Sequence, residues 1–211
     1  PVLITAGPGT GKTFTLVQRA IYLIQECGIQ PEEIFIATFT EKAAKELVTR
    51  ITNELAARDI SVNVNEMYVG TFHSICLRII KEHLEYSRLK KNYRMLDSFD
   101  QQYMVFQNLN RFKRITNLDG VIKSKGWRVA KEICEYANNF SEELVTPEAL
   151  CQDKDGFVVA LGNMLAEYQM LLNEGNLIDF STIQTECFRI LKENPAILEE
   201  LQEKIKYLMV D

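Results

Sequence analysis

Several features are scarce in this chain of 211 residues. Its five cysteines (Cys27, Cys76, Cys134, Cys151 and Cys187) are odd in number and too widely spaced for a CxxC pair, and only His73 and His83 could join them. That spacing excludes the common zinc-site patterns and a disulfide framework. It predicts buried or idle thiols in a reducing compartment, the cytoplasm. No stretch approaches the roughly 20 apolar residues that a membrane-crossing helix needs. The opening, Pro1-Val2-Leu3-Ile4-Thr5, lacks both the basic segment of a secretory signal and an initiator Met, so the expectation is a piece of a longer protein. Internal repeats and a Pro/Gly/Ser-rich linker are missing too. What remains, 46% hydrophobic and 25% charged residues, is ordinary for a globular chain with a real core.

An excess of positive charge is also lacking, since the net charge is −5. Taken as an average, this argues against a nucleic-acid binder. The average hides a division: residues 1–70 carry −2, residues 71–131 carry +8, and residues 132–211 carry −11. The +8 block is either a surface that follows phosphates or a set of solvated helix faces.

Apolar periodicity organises the chain. Val2-Leu3-Ile4-Thr5 reads as a short strand running into a Gly-rich turn, and residues 12–27 have helical spacing with Gly28 as a stop. Ile34-Phe35-Ile36-Ala37-Thr38-Phe39 is a strand candidate, Thr40 can cap a helix over about 41–58, and Met67–Thr71 is followed by a helix over about 72–86. Strands this apolar, alternating with helices, predict a parallel sheet covered on both faces. From Ser87 to about Glu203 nearly everything reads as helix, with a brief extended piece at 93–96 and helix starts at Asp97-Ser98, Ser141, Thr146-Pro147 and Asp179. A buried-strand signature returns only at Tyr207-Leu208-Met209-Val210-Asp211. The expectation is an α/β domain with a mainly helical insertion: residues 1–76, then 77–190 inserted, then 191–211 returning to the first domain.

Ala6-Gly7-Pro8-Gly9-Thr10-Gly11-Lys12-Thr13 is a Walker A sequence, with Ala6 where the strict pattern has Gly. Its glycines let successive backbone N–H groups turn inward onto phosphate oxygens, and the following helix adds the positive end of its dipole. Lys12 supplies a cation for the β- and γ-phosphates of ATP, and the Thr13 hydroxyl is a ligand for Mg²⁺. Asp211, at the end of an apolar strand, is the natural partner acid for the metal.

Two further strand ends look alike: Thr38-Phe39-Thr40-Glu41-Lys42 and Gly70-Thr71-Phe72-His73-Ser74. Each gathers hydroxyls, a ring and helix-start N–H groups, which suits a single nucleic-acid strand. The competing reading is ordinary capping by Thr40 and Thr71, with Phe39 and Phe72 in the core.

The order of residues 6–13, Thr-Phe-Thr-Glu-Lys-Ala-Ala-Lys-Glu-Leu (38–47), Val-Gly-Thr-Phe-His-Ser (69–74), Leu-Ile-Asp-Phe (177–180) and Tyr-Leu-Met-Val-Asp (207–211) resembles the UvrD/Rep/PcrA superfamily 1 DNA helicases, in their motifs I, Ia, Ib, Id and the first half of II. Leu96-Asp97-Ser98 with the Gln-bearing helix after it is similar to their inserted helical subdomain. The resemblance implies a RecA-like P-loop NTPase core (1A) with a parallel sheet, interrupted by subdomain 1B. It implies a 3′–5′ DNA helicase that uses ATP and Mg²⁺ to move on single-stranded DNA and open duplex in repair or replication.

By that resemblance, residues 6–13 hold ATP, Lys12 and Asp211 are catalytic, and Thr13 and Asp211 hold Mg²⁺. Thr38, Phe39, Thr40, Lys42, Thr71, Phe72 and His73 lie along the DNA. The basic residues Arg88, Lys90, Lys91, Arg94, Arg111, Lys113 and Arg114 become a duplex surface. It further implies as partners a carboxyl-terminal RecA-like half and repair or replication proteins, with no membrane. Phe14 departs from the family, standing where Rep and UvrD commonly have Arg. The family's adenine-contacting Gln motif, catalytic Glu and arginine finger would fall outside residues 1–211. The chain alone is therefore expected to bind nucleotide weakly and to unwind negligibly. A helicase–nuclease subunit of the RecB/AddA type, a P-loop small-molecule kinase and a non-catalytic DNA-binding scaffold are the alternatives.

Overall fold

In the computed structural model the chain begins with α1 (Lys12–Gln25), β1 (Ile34–Thr38), α2 (Glu41–Ala56), β2 (Tyr68–Thr71) and α3 (Phe72–Glu82). It continues through β3 (Arg94–Leu96), α4 (Ser98–Gln107), α5 (Leu109–Phe112), α6 (Leu118–Val121), α7 (Trp127–Glu142), α8 (Pro147–Cys151) and α9 (Gly156–Glu174). It closes with β4 (Leu177–Asp179), α10 (Phe180–Glu193), α11 (Pro195–Lys204) and β5 (Tyr207–Val210). The structure describes residues 2–5, 7 and 9–211; Pro1, Ala6 and Pro8 lie outside the described residues. Two compact units result, one from Pro1–Arg78 with Asn194–Asp211 and one from Ile79–Glu193.

The first unit is built on a parallel sheet in the order β2-β1-β5. β1 is buried along its whole length, as an unbroken apolar run at the centre of a covered sheet should be. Parallel neighbours need a crossover, and α2 supplies it between β1 and β2. Val17, Ala20, Ile21, Leu23 and Ile24 of α1 share one core with Leu47, Ile51 and Leu55 of α2 and with Ile34 and Ile36 of β1. Burying a Leu or Ile side chain contributes about 1.5–3 kcal/mol, so these two helix faces fix the sheet's covering layer. Tyr68 of β2 is fully buried, with the Arg78 guanidinium 4.0 Å from its ring centroid and Lys204 of α11 donating to its hydroxyl at 3.3 Å.

Two expectations for this unit need correction. Val2–Thr5 forms no strand; it has no ladder partner, and Val2 and Leu3 are about 90% exposed (89% and 91%). An apolar run becomes a strand only where a neighbour takes up its N–H and C=O groups. Helix α3 stops at Glu82 rather than near residue 86, because the backbone leaves the helical region at His83 (φ −123°, ψ 41°) and a 3₁₀ turn follows over Leu84–Tyr86.

The second unit is helical apart from the parallel pair β3–β4, in register Arg94↔Leu177, Met95↔Ile178 and Leu96↔Asp179. The extended piece expected at 93–96 is β3. Its partner β4 is not legible in a pattern of three residues that runs straight into a helix. Val105, Phe112, Ile133, Ala137, Met164, Leu165 and Leu172 are in the apolar core. Beside that core sits a polar knot. Tyr168 donates to Asp179 Oδ2, while Asp179 Oδ1 accepts from Ser181 Oγ (3.0 Å), the Thr182 backbone N–H (2.9 Å) and Thr182 Oγ1 (3.0 Å). Gln101 Nε2 donates both to Tyr168 Oη (2.6 Å) and to Asn138 Oδ1 (2.8 Å). One buried carboxylate thereby ties together α4, α7, α9 and α10, and each of its two oxygens has a donor.

Among the described residues no helix is long and apolar enough to cross a membrane. All five cysteines are free thiols, with Cys27 and Cys151 exposed and Cys76, Cys134 and Cys187 buried.

Candidate functional site

Gly9, Thr10 and Gly11 form a bend that glycine makes possible just before α1. Gly9 and Gly11 have φ of +76° and +93°, a region where a side chain is strained. Thr10 closes the turn through its hydroxyl, which donates to Gly7 O at 2.7 Å. Gly11 then starts α1 with no side-chain cap, so first-turn N–H groups lie at an exposed, positively polarised helix end. Lys12 Nζ donates to Gly7 O at 3.1 Å, folding the cation over the same turn. Thr13 is half-buried on the first turn and Phe14 is exposed. Ala6 and Pro8, expected in this loop, lie outside the described residues.

The parallel register brings the other expected residues to one edge. Ala37 is opposite both Gly70 and Val210, Thr38 is opposite Thr71, and the Asp211 N–H donates to Ala37 O at 2.9 Å. Thr38, Phe39, Thr40, Thr71, Phe72 and Asp211 thus stand at the carboxyl ends of three adjacent strands, the rim where open α/β sheets collect ligands.

Capping and exposure coexist here. Thr40 Oγ1 accepts from the Ala43 N–H (3.1 Å) and Thr71 Oγ1 from the Ser74 N–H (3.1 Å), so both threonines do cap α2 and α3. The rings, however, are not core: Phe39 is 93% exposed and Phe72 52%. A Phe ring left in water beside two helix N-termini is not explained by packing. Lys42 is exposed on the first turn of α2, and His73 is half-buried. Thr71 Oγ1 also donates to Glu41 Oε1 at 2.8 Å, lashing the two strand ends together. Glu41 was not among the expected site residues, since a contact across 30 positions has no local signature.

Gly70 packs closely against α3: an added Cβ would stand 2.3 Å from Ser74 Oγ, so that hydroxyl would have to leave its place. That serine hydroxyl donates to Thr71 O at 2.9 Å and completes the turn.

The basic block divides in the second unit. Arg88 is held by Glu186, which accepts from its backbone N–H at 2.7 Å, and its guanidinium donates to Leu177 O at 3.0 Å. Burial lowers the pKa of that arginine, partly offset by the Glu186 charge. Arg111 is paired with Glu167 and Glu174, and the bonds to those carboxylates raise its pKa. These two residues are structural and drop out of the expected phosphate surface, whereas Lys90, Lys91, Arg94, Lys113 and Arg114 are exposed. Asp179 starts α10 as expected, its Oδ1 accepting from the Thr182 N–H, and the Phe180 ring after it is 60% exposed.

A glycine-bent loop opening a helix, with an acid and two hydroxyl-and-ring turns along the carboxyl edge of a parallel sheet, defines the class. The chain belongs to the UvrD/REP helicase N-terminal domain family, whose model matches residues 1–211. Among curated proteins it is 27% identical to the ATP-dependent DNA helicase PcrA of Bacillus subtilis, over 100% of this chain and 27% of that one. It is 30% identical to the ATP-dependent DNA helicase Rep of Buchnera aphidicola subsp. Acyrthosiphon pisum, over 100% of this chain and 31% of that one. It is 31% identical to the ATP-dependent DNA helicase SRS2 of Saccharomyces cerevisiae, over 99% of this chain and 18% of that one. The chain therefore spans less than a third of the length of these relatives.

Proposed function

We propose that this chain is the ATP- and DNA-binding amino-terminal part of an ATP-dependent 3′–5′ DNA helicase acting in DNA repair or replication. The observation that carries the reading is the exposed Phe39 ring between a strand end and a capped helix N-terminus, with Thr71 and Phe72 on the adjacent strand end. Residues 1–76 and 191–211 are a RecA-like core and residues 77–190 its inserted helical subdomain; the two compact units, divided at Arg78/Ile79 and Glu193/Asn194, support that assignment.

The residues present suit a nucleotide. In the loop over residues 6–13, N–H groups meet phosphate oxygens at the uncapped start of α1, and Lys12 exchanges its carbonyl acceptor for the β- and γ-phosphates. Thr13 and Asp211 are the Mg²⁺ ligands, and that ion, when bound, neutralises charge on the phosphates. Lys12 and Asp211 are the catalytic residues within this chain. Thr38, Thr40, Thr71 and His73 position the backbone of one DNA strand, Lys42 neutralises a phosphate, and Phe39 and Phe72 stack on bases. Duplex DNA meets the exposed part of the basic block. The remaining half of the nucleotide cleft comes from a second RecA-like domain of the same protein.

ATP turnover by the longer protein, titrated with single-stranded DNA, tests this reading. Turnover should rise with DNA in a salt-sensitive way and vanish in Lys12→Ala. Phe39→Ala should raise the DNA concentration for half-stimulation by about tenfold, the loss of one stacked base. Turnover indifferent to DNA would contradict the helicase reading and favour a small-molecule kinase.

A further inference from the structure

One face of the second unit remains without a role in the scheme above. On α4, Phe99, Tyr103 and Phe106 recur at helical spacing and stand 65%, 45% and 40% exposed. An amphipathic helix normally turns such a stripe inward, and α4 does bury Val105 and Gln101 on its other side. The rings are organised. Phe99 and Tyr103 lie with centroids 6.2 Å apart and planes 6° from parallel, and Trp127 packs 5.6 Å from Phe99 and 5.2 Å from Phe106. Gln102 Oε1 accepts the indole N–H at 3.0 Å, which fixes the tryptophan while leaving it half-exposed.

The charge that the segment before α7 sets beside Trp127 has one sign, while α4 brings Asp97 and Asp100 only at its N-terminal end. The segment 122–131, which leads into α7 and contains Trp127, carries Lys123, Lys125, Arg128 and Lys131 and no acidic residue. Lys123, Lys125 and Arg128 are exposed, and among the described residues only Lys131 of the four has an ion-pair partner, Glu135. Helix α7 starts at Gly126 (φ +63°) with no side-chain cap, so its first N–H groups are open to an acceptor as well. The same loop holds Ser124 Oγ, a buried polar atom without a hydrogen bond.

We infer that Phe99, Tyr103, Phe106 and Trp127, flanked by Lys123, Lys125 and Arg128, form a second platform for a few nucleotides of single-stranded DNA. Exposed ring faces accept bases without regard to sequence, and the adjoining cations and helix N-terminus match the phosphates that connect those bases. A duplex keeps its base faces stacked and cannot use the rings. An apolar protein partner would cover the rings but leave the unpaired cations without acids. The choice of DNA over RNA rests on the proposed function; the platform itself uses none of the strand-end residues.

Trp127 is the single tryptophan of the chain, so its fluorescence reports on this face. Titrating the 211-residue chain with oligo-dT at low salt should quench that emission. Phe99→Ala/Tyr103→Ala should weaken the titration by at least about tenfold. Lys125→Glu/Arg128→Glu should weaken it and flatten its salt dependence. Both pairs are exposed, and circular dichroism and the melting temperature of each variant verify folding. Quenching that survives in Phe39→Ala assigns the signal to this platform even if the strand-end reading fails. Any one of five results overturns the inference: no quenching by oligo-dT; equal quenching by blunt duplex; stronger quenching by oligo-rU; quenching lost in Phe39→Ala but kept in Phe99→Ala/Tyr103→Ala; or concentration-dependent quenching without DNA, with dimers in sedimentation equilibrium, which would make a second copy the occupant.

Discussion

At the scale of single residues, two buried groups of the second unit, Cys134 and Tyr168, hold their protons more tightly than they would in water. Burial pushes the Cys134 thiol up from 9.0 to about 12, with the charges of Asp179 and Glu135 adding to the effect. Tyr168 is raised well above its ordinary 10.0, chiefly by burial and then by the Asp179 carboxylate it serves. Both groups keep protons in the fold that the unfolded chain releases at lower pH. Their contribution to stability is therefore complete below about pH 9 and drains away as pH rises toward 12. Equilibrium unfolding by urea at stepped pH should show stability falling across that window, and less steeply in Tyr168→Phe measured against its own neutral-pH value. A flat profile between pH 9 and 12 would contradict the buried placement of these two groups. None of this was legible in the sequence. Spacing marks Asp179 as a helix start, and only the fold reveals that Tyr168 and Ser181, with Gln101 and Asn138 behind them, are joined to it across 80 positions.

At the scale of elements, the sequence was most informative where one strand and one helix follow each other directly. The apolar run at 34–39, the Thr40 cap and the amphipathic face of α2 are local facts of spacing and side-chain type, and each became the expected element, the strand ending at Thr38 and the helix at Ala56. Where an element depends on a distant neighbour, spacing was silent or misleading: β4 exists because β3 lies beside it, and Val2–Thr5, without a ladder partner, forms no strand. The exposed rings tell the same story in reverse, since Phe39 is apolar and adjacent to a buried strand, and only the fold turns it outward. Gly70 marks how tightly the second strand end is packed. Gly70→Ala would force Ser74 Oγ aside and should destabilise the first unit by about 1–3 kcal/mol, the usual cost of an overpacked site. Thermal unfolding of the variant checks this, and an unchanged melting temperature would mean that the β2–α3 turn tolerates a different geometry.

At the scale of the whole molecule, the arithmetic of charge and length acquires a structural meaning. The acidic total conceals a basic segment of which Arg88 and Arg111 are spent on internal ion pairs, while Lys123, Lys125 and Arg128 stay in solvent beside exposed rings. The chain leaves its first unit after β2 and comes back for β5, which completes the sheet on the far side of β1 from β2. That return places Asp211 on the same rim as Thr38 and Thr71. The central claim is that the loop before α1 holds the phosphates of ATP with Lys12 as its cation. Equilibrium binding of a fluorescent ATP analogue to the 211-residue chain, with and without Lys12→Ala, tests this most directly. A charge-assisted hydrogen bond contributes about 1.5–3 kcal/mol. The account therefore predicts weak, saturable, Mg²⁺-dependent binding that falls about ten- to hundredfold in the variant. Equal affinity in the two proteins would contradict it.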